Sequence, residues 1–256
     1  MRLDVEMVNR GLVSTRSKAK ELVVTGKVNC DGKCIQKPAF EVSQVTCIEL
    51  LDSLRYVSRG GLKLEKAIST FGINMEGKVM LDIGASTGGF TDCALQNGAK
   101  QVYAVDVGSG QLDNSLREDK RVIVYENTDI RKMQLGTLRE VNIASIDISF
   151  ISVTKIVHIV AQIPNLREIV CLIKPQFECG MTVAKKYKGV IKDGIYHIKA
   201  INEVVNAFAE KGFVLQGLTF SPIKGGDGNI EYLAYFGDKS NKVDIAKVVQ
   251  DAFDSL

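Results

Sequence analysis

The 256-residue sequence has no tryptophan, only four prolines and only two histidines, His158 and His197. Its six cysteines, at positions 30, 34, 47, 93, 171 and 179, are too sparse for a disulfide scaffold. With two histidines to join them and no second cysteine pair at finger-like spacing, they form no zinc-ligand set, and reduced, partly buried thiols are expected. Long apolar runs are missing too. Stretches free of Asp, Glu, Lys and Arg, such as Gly212 to Ile223, reach only about a dozen residues, short of the ~20 that a membrane-spanning helix needs. Asp4 and Glu6 fall where a secretory signal needs an uninterrupted apolar core, so a cytoplasmic location is expected. What remains, 45% hydrophobic and 25% charged residues, is a globular composition.

The net charge of +3 becomes informative when divided along the chain. Residues 1–60 hold ten basic and seven acidic side chains, so the whole excess lies there; from Arg10 to Lys37 the ratio is seven to two. The same stretch has its own element pattern. An apolar stripe at Leu3, Met7 and Val8 ends at Gly11. Ser14 or Thr15 can cap a second helix that carries Leu22 and Val23 and stops at Gly26. Asp31-Gly32 then suits a tight hairpin turn. A basic run taken alone is more often a solvated face, but Arg16, Lys18 and Lys20 on a helix beside Lys27 and Lys33 on a hairpin would offer one basic surface to phosphates.

With that order of helix, helix, Gly-Lys-Val and Asp-Gly turn, residues 2–50 resemble the small RNA-binding module of ribosomal protein S-four. The resemblance implies RNA contact by Arg2, Arg10, Arg16, Ser17, Lys20 and Lys27. The glycine-bearing segment around Arg55 to Leu64 breaks the periodicity and places a linker at 51–60, leaving 61–256 as the larger domain. There, buried parallel strands are expected at Lys78–Ile83, Gln101–Val107, Val122–Tyr125, Ile143–Ile148 and Ile169–Ile173, with helical patterns between most of them. A helix over Tyr196–Lys211 precedes two consecutive strands, Phe213–Phe220 and Ile230–Phe236, which imply an antiparallel hairpin at the sheet edge. The expected fold class is α/β, a Rossmann-like, mostly parallel sheet with a small N-terminal α+β domain, and the hairpin ending resembles that of class I methyltransferases.

The chemistry starts at Asp82-Ile83-Gly84-Ala85-Ser86-Thr87-Gly88-Gly89-Phe90. A strand enters a turn of three glycines spaced G-x-x-x-G-G, and a helix opens with exposed N–H groups. A dinucleotide fingerprint would put glycine where Ser86 stands, and no Gly-Lys-Ser/Thr follows as in an ATP-binding loop. Asp82 would repel phosphates but suits the amino and sulfonium groups of S-adenosylmethionine, the expected cofactor. Asp106, with Val107 beside it, ends the next strand and is placed for ribose hydroxyls, and Asp129 for the adenine border. A glycine turn needed only for packing would leave the recurring carboxylates unexplained.

Methyl transfer from a sulfonium is an in-line displacement that needs an aligned nucleophile and a route for its proton. Lys63 lies just before the first domain helix, Asp147 and Lys174 end the fourth and fifth strands, and Glu231 starts the last. Together they match the Lys-Asp-Lys-Glu set of ribose 2′-O-methyltransferases resembling FtsJ. Asp147-Ile148-Ser149-Phe150 replaces the Pro-Pro-aromatic motif that base methylation would show, so sugar oxygen is the expected nucleophile. A free lysine titrates near ~10.4, so Lys174 is either a base made acidic by its surroundings or a cation that steers the hydroxyl. Ala184 to Gly194 reads as a basic loop, with Lys185 and Lys188 as RNA contacts and Tyr187 able to stack on a base; an ordinary mobile lysine loop is the alternative. Arg59 is a further RNA candidate, and His197 is expected to be structural.

Over essentially the whole chain, the N-terminal module, Val57 to Leu64, Asp82 to Phe90, Asp147 to Ser152 and Leu172 to Glu178 closely resemble the TlyA family, also called haemolysin A. That resemblance implies 2′-O-methylation of cytidine in ribosomal RNA, with 23S favoured and 16S also possible, and a ribosomal subunit as partner. A cytolytic protein and a non-catalytic assembly factor are the alternatives.

Overall fold

A computed structural model describes residues 1–13, 15–51, 55–239 and 241–256. The chain divides into two compact units, Met1–Ser58 and Arg59–Leu256. The segment expected as a linker at 51–60 does not stand apart. Its described residues through Ser58 group with the first unit, Gly60 already begins a helix, and 52–54 lie outside the described residues.

In the first unit, α1 (Leu3–Asn9) and α2 (Arg16–Val24) bury Leu3, Met7, Ala19, Leu22 and Val23 in one small core. Thr15 caps α2, its hydroxyl accepting from Lys18 N; the other cap candidate, Ser14, lies outside the described residues. Asp31 and Gly32 take φ of 50° and 77°, the geometry of a tight hairpin turn, between β1 (Val28–Cys30) and β2 (Lys33–Cys34). A third strand, β3 (Ile48–Leu50), not foreseen from the sequence, pairs antiparallel with β1 on its other side.

The second unit opens with α3 (Gly60–Phe71). Its sheet has the order β6-β5-β4-β7-β8-β10-β9, formed by β4 (Val79–Ile83), β5 (Gln101–Val105), β6 (Val122–Tyr125), β7 (Ile143–Ile146), β8 (Glu168–Ile173), β9 (Val214–Phe220) and β10 (Tyr232–Gly237). The strands from β4 to β8 run parallel, and β10 is antiparallel to both neighbours. The C-terminal hairpin thus forms as expected, with β9 outermost and β10 inserted beside β8.

Side chains alternate across a strand, so each buried strand feeds two cores. Leu81, Ile146, Ile173 and Ala234 face one shared with α6 (Thr154–Val160), α9 (Gly194–Ala209) and α10 (Ile245–Ser255). The intervening residues, Asp82 among them, face α3 and α4 (Gly89–Gln96), which pack on each other and on β10 and β4. The amphipathic α10 lays Val249 and Ala252 into the first core, against α9 and β9. Between β5 and β6 stands the short α5 (Asn114–Arg117). After β8 come α7 (Pro175–Glu178) and α8 (Gly180–Lys186), so Ala184 to Lys186 are helical and only the remainder of the expected basic loop is irregular.

Candidate active site

Strand order reverses between β4 and β7, the place where open α/β sheets bind ligands at the carboxyl ends of their strands. There, Gly84 takes φ +87°, and a Cβ on it would lie 2.3 Å from the Asp147 carbonyl oxygen. Only glycine lets the turn after β4 pass so close to the end of β7. Ser86 is held at φ +48°, a strained region for a non-glycine residue, with its N–H donating to Asp106 Oδ2 at 2.8 Å. Asp106 Oδ1 accepts from Gly108 N at 2.7 Å. Both carboxylate oxygens are thus fixed by main-chain donors, and each keeps a lone pair for a ligand hydroxyl. Val107 beside it is 73% exposed, an apolar surface at the end of β5.

Asp82 departs from the expectation of a direct cofactor contact. The strand pleat turns its carboxylate inward, where it is fully buried and accepts from Thr91 Oγ1 and Ser145 Oγ, each at 2.7 Å. Burial pushes its pKa up to about 6, against the lowering effect of the two hydroxyls. Asp82 ties α4 to β7 beneath the glycine turn. Asp129 likewise faces a partner, its two oxygens gripped by Arg131 at 2.9 and 2.6 Å, and this contact holds its pKa below the usual range.

The four expected catalytic residues form two ion pairs. Lys63 is the fourth residue of α3, inside the helix rather than before it, and its Nζ donates to Glu231 Oε2 at 2.6 Å; both residues are buried. Lys174, the residue after β8, donates to Ser149 Oγ at 3.0 Å and lies 2.5 Å from Asp147 Oδ1, off hydrogen-bond alignment. Glu231 precedes β10 instead of starting it, and Asp147 follows β7. In the β8–β10 register Tyr232 faces Ile173, so one further step along each strand sets Glu231 beside Lys174.

Two features here escaped the sequence reading. Phe150 is 88% exposed at φ +71°, its ring tilted against Phe177 at 5.5 Å, so an aromatic face stands in solvent three residues from Asp147. A buried residue anchors this loop: Glu178 accepts from Ser152 Oγ at 2.5 Å and from Val153 N at 2.9 Å. No local pattern in Asp147 to Ser152 marks Phe150 as exposed.

Among the expected RNA contacts, Arg10 is a correction. Its guanidinium donates to Glu6 and to the carbonyls of Ser43, Gln44 and Thr46, so it braces the first unit internally. Arg2 and Arg16 both clamp the buried Asp4 carboxylate, the Arg2 hydrogen bonds holding its pKa down, yet their side chains stay 46% and 52% exposed. Their remaining N–H groups are open to phosphates. Ser17, Lys20, Arg59, Lys185 and Lys188 are exposed and Lys27 is half-buried. Tyr187, expected to stack on a base, packs edge-on against Tyr196 and donates to Asp193.

A glycine turn at the reversal of a mostly parallel sheet and two acid–lysine pairs along the same edge fit a methyltransferase domain, and residues 56–238 match the FtsJ-like methyltransferase family while residues 1–44 match the S4 domain. The chain is 45% identical to hemolysin A of Brachyspira hyodysenteriae, over 92% of this chain and 99% of that one. It is 39% identical to the 16S/23S rRNA (cytidine-2′-O)-methyltransferase TlyA of Mycobacterium tuberculosis, over 98% of this chain and 95% of that one. A solved structure from Streptococcus thermophilus, named with the hemolysins, superimposes with a TM-score of 0.77 at 42% identity, over 100% of this chain and 96% of that one. The chain therefore belongs to the FtsJ-like methyltransferases, in the S4-bearing group that includes TlyA and hemolysin A.

Proposed function

We propose that this protein is a cytoplasmic S-adenosylmethionine-dependent methyltransferase acting on the 2′-hydroxyl of cytidine in ribosomal RNA, with 23S as the first substrate to test. The observation that carries the reading is the pairing of Lys63 with Glu231 and of Lys174 with Asp147 along the sheet edge that also carries the glycine turn. Residues 1–50 supply RNA affinity and 61–256 the chemistry. The donor set fits the cofactor: Asp106 retains acceptor capacity for ribose hydroxyls, Val107 offers an apolar face, and Gly84 to Phe90 form the turn after β4 whose Ser86 N–H meets Asp106. When bound, S-adenosylmethionine supplies an electrophilic methyl on a sulfonium.

Lys174 is the group nearest the attacking oxygen. Its ammonium donates to Ser149 and is paired in charge with Asp147, and an N–H not used by Ser149 can position the 2′-hydroxyl. Asp106 and the Gly84 to Phe90 turn would hold the cofactor, and Lys174 would aim the 2′-hydroxyl at the methyl group it supplies, the hydroxyl proton leaving toward solvent. Lys63 and Glu231 hold the neighbouring wall of the site. Phe150 gives an unpaired base a surface on which to stack.

The test is transfer of labelled methyl to 23S and 16S RNA and to assembled subunits, with the modified position mapped. Transfer to a cytidine 2′-oxygen that disappears in Lys174→Ala supports the reading; wild-type turnover in that variant removes Lys174 from the mechanism. The hemolysin names of two relatives keep a cytolytic reading in view. No helix among the described residues is long and apolar enough to cross a membrane. Calcein release from protein-free vesicles would favour lysis.

A further inference from the structure

A buried polar network connects the catalytic edge of β10 to the basic segment after α8. Asn229, 1% exposed, donates from Nδ2 to the Gly189 carbonyl at 2.8 Å and accepts at Oδ1 from Ile191 N at 3.0 Å. The Ile191 carbonyl meets His197 Nε2 at 3.1 Å, and His197 Nδ1 meets the Tyr232 hydroxyl at 2.8 Å. His197 and Tyr232 are both fully buried. On the other side of Asn229, its carbonyl accepts from Gly225 N at 2.9 Å, and Gly225 approaches the Glu231 carboxylate so closely that a Cβ there would lie 2.4 Å from Oε1. The segment held in this way needs holding. α8 buries none of its residues, and the turn that follows carries Lys188 at φ +49° and Gly189 at φ +83°.

A side-chain amide that satisfies two main-chain groups of one loop fixes that loop as a second pair of strand hydrogen bonds would. We infer that Asn229, backed by His197 and Tyr232, is a positioning residue that locks the Lys185–Lys192 segment against the site, so that its exposed lysines meet the RNA backbone at a set distance from Lys174. The inference rests on the RNA-methylating reading. It assigns to His197 a role beyond filling space, and makes the glycine-rich loop before β10 the hinge between substrate grip and catalytic edge.

The experiment uses the full-length protein and the ribosomal RNA it methylates. Asn229→Leu, which leaves the Gly189 carbonyl and the Ile191 N–H without their partner, should raise the KM for RNA about tenfold. The dissociation constant for S-adenosylmethionine, read by calorimetry, should stay unchanged, and kcat should move less than threefold. In a Lys185→Ala/Lys188→Ala background, the same substitution should add little, because the charges it positions are gone. Tyr232→Phe, which deletes one hydroxyl and keeps the packing, should shift KM in the same direction by two- to threefold and serves where Asn229→Leu does not fold. An unchanged KM in both variants, a loss confined to kcat, or full additivity with the lysine substitutions would overturn the inference. Failure of the wild-type protein to methylate RNA would instead sink the reading beneath it.

Discussion

Replacing Asp82 with Asn removes the one fully buried carboxyl group under the glycine turn while keeping its shape. In the folded protein its pKa rises from 3.8 to about 6, chiefly because burial disfavours the charge. A carboxyl shifted upward costs nothing while both folded and unfolded states are protonated. The cost builds as pH climbs past the unfolded value and levels off above the folded one. At about 1.36 kcal/mol per unit, the full penalty is about 3 kcal/mol, of which about half accrues above pH 5. Urea unfolding at pH 5 and pH 8 should therefore show wild type losing about 1.5 kcal/mol relative to Asp82→Asn across that interval. The amide's imperfect match to two donating hydroxyls adds an offset that does not depend on pH. Parallel pH profiles for the two proteins would refute the reasoning, since they would mean that Asp82 ionises on folding no differently from a solvated carboxylate.

Glu231→Gln or Lys63→Met should each cost about 3–5 kcal/mol by stranding a buried charge, whereas Lys63→Met with Glu231→Leu should recover most of the stability and none of the methyl transfer. Urea unfolding beside a labelled-methyl assay separates the two effects. Phe150→Ala should change stability by less than about 0.5 kcal/mol, because the ring is exposed, and should lower turnover on RNA about tenfold. Arg10→Ala should destabilise the first unit by about 2 kcal/mol, as the acceptors it satisfies are left open. Arg16→Ala should instead weaken RNA binding and reduce the salt dependence of affinity by about one counterion, measured by titration at several salt concentrations.

The apolar runs at β4 to β8 were readable because strands buried on both faces carry little else; β6 has the bounds expected for it, and the ends foreseen for the others missed by one or two residues. The acids and lysines at their carboxyl ends were readable for the same reason: a charge closing an apolar run has few places to go but a cleft. What the sequence concealed was direction. Asp82 and Asp106 both follow apolar residues near the end of a strand, yet Asp82 still lies within β4 and is buried against Thr91 and Ser145, whereas Asp106 stands one residue past β5, where the Ser86 and Gly108 N–H groups meet it and it is only half-buried. Arg10 and Arg16 look alike as basic helix residues, and only the fold of the distant 43–46 segment over α1 turns Arg10 into a brace. β3 has three residues, too few for any period to register. The His197 network depends on a loop and a strand more than thirty residues apart in sequence, a relation that local pattern does not carry.

The position of β10 has a consequence for biosynthesis. This strand follows every other strand of its sheet in the chain, yet it occupies an interior slot between β8 and β9, with Glu231 at its threshold. A nascent polypeptide halted short of it has an open gap where the acid should stand, and Lys63 waits without its counter-ion. A chain released before β10 is made therefore lacks the acid that pairs with Lys63.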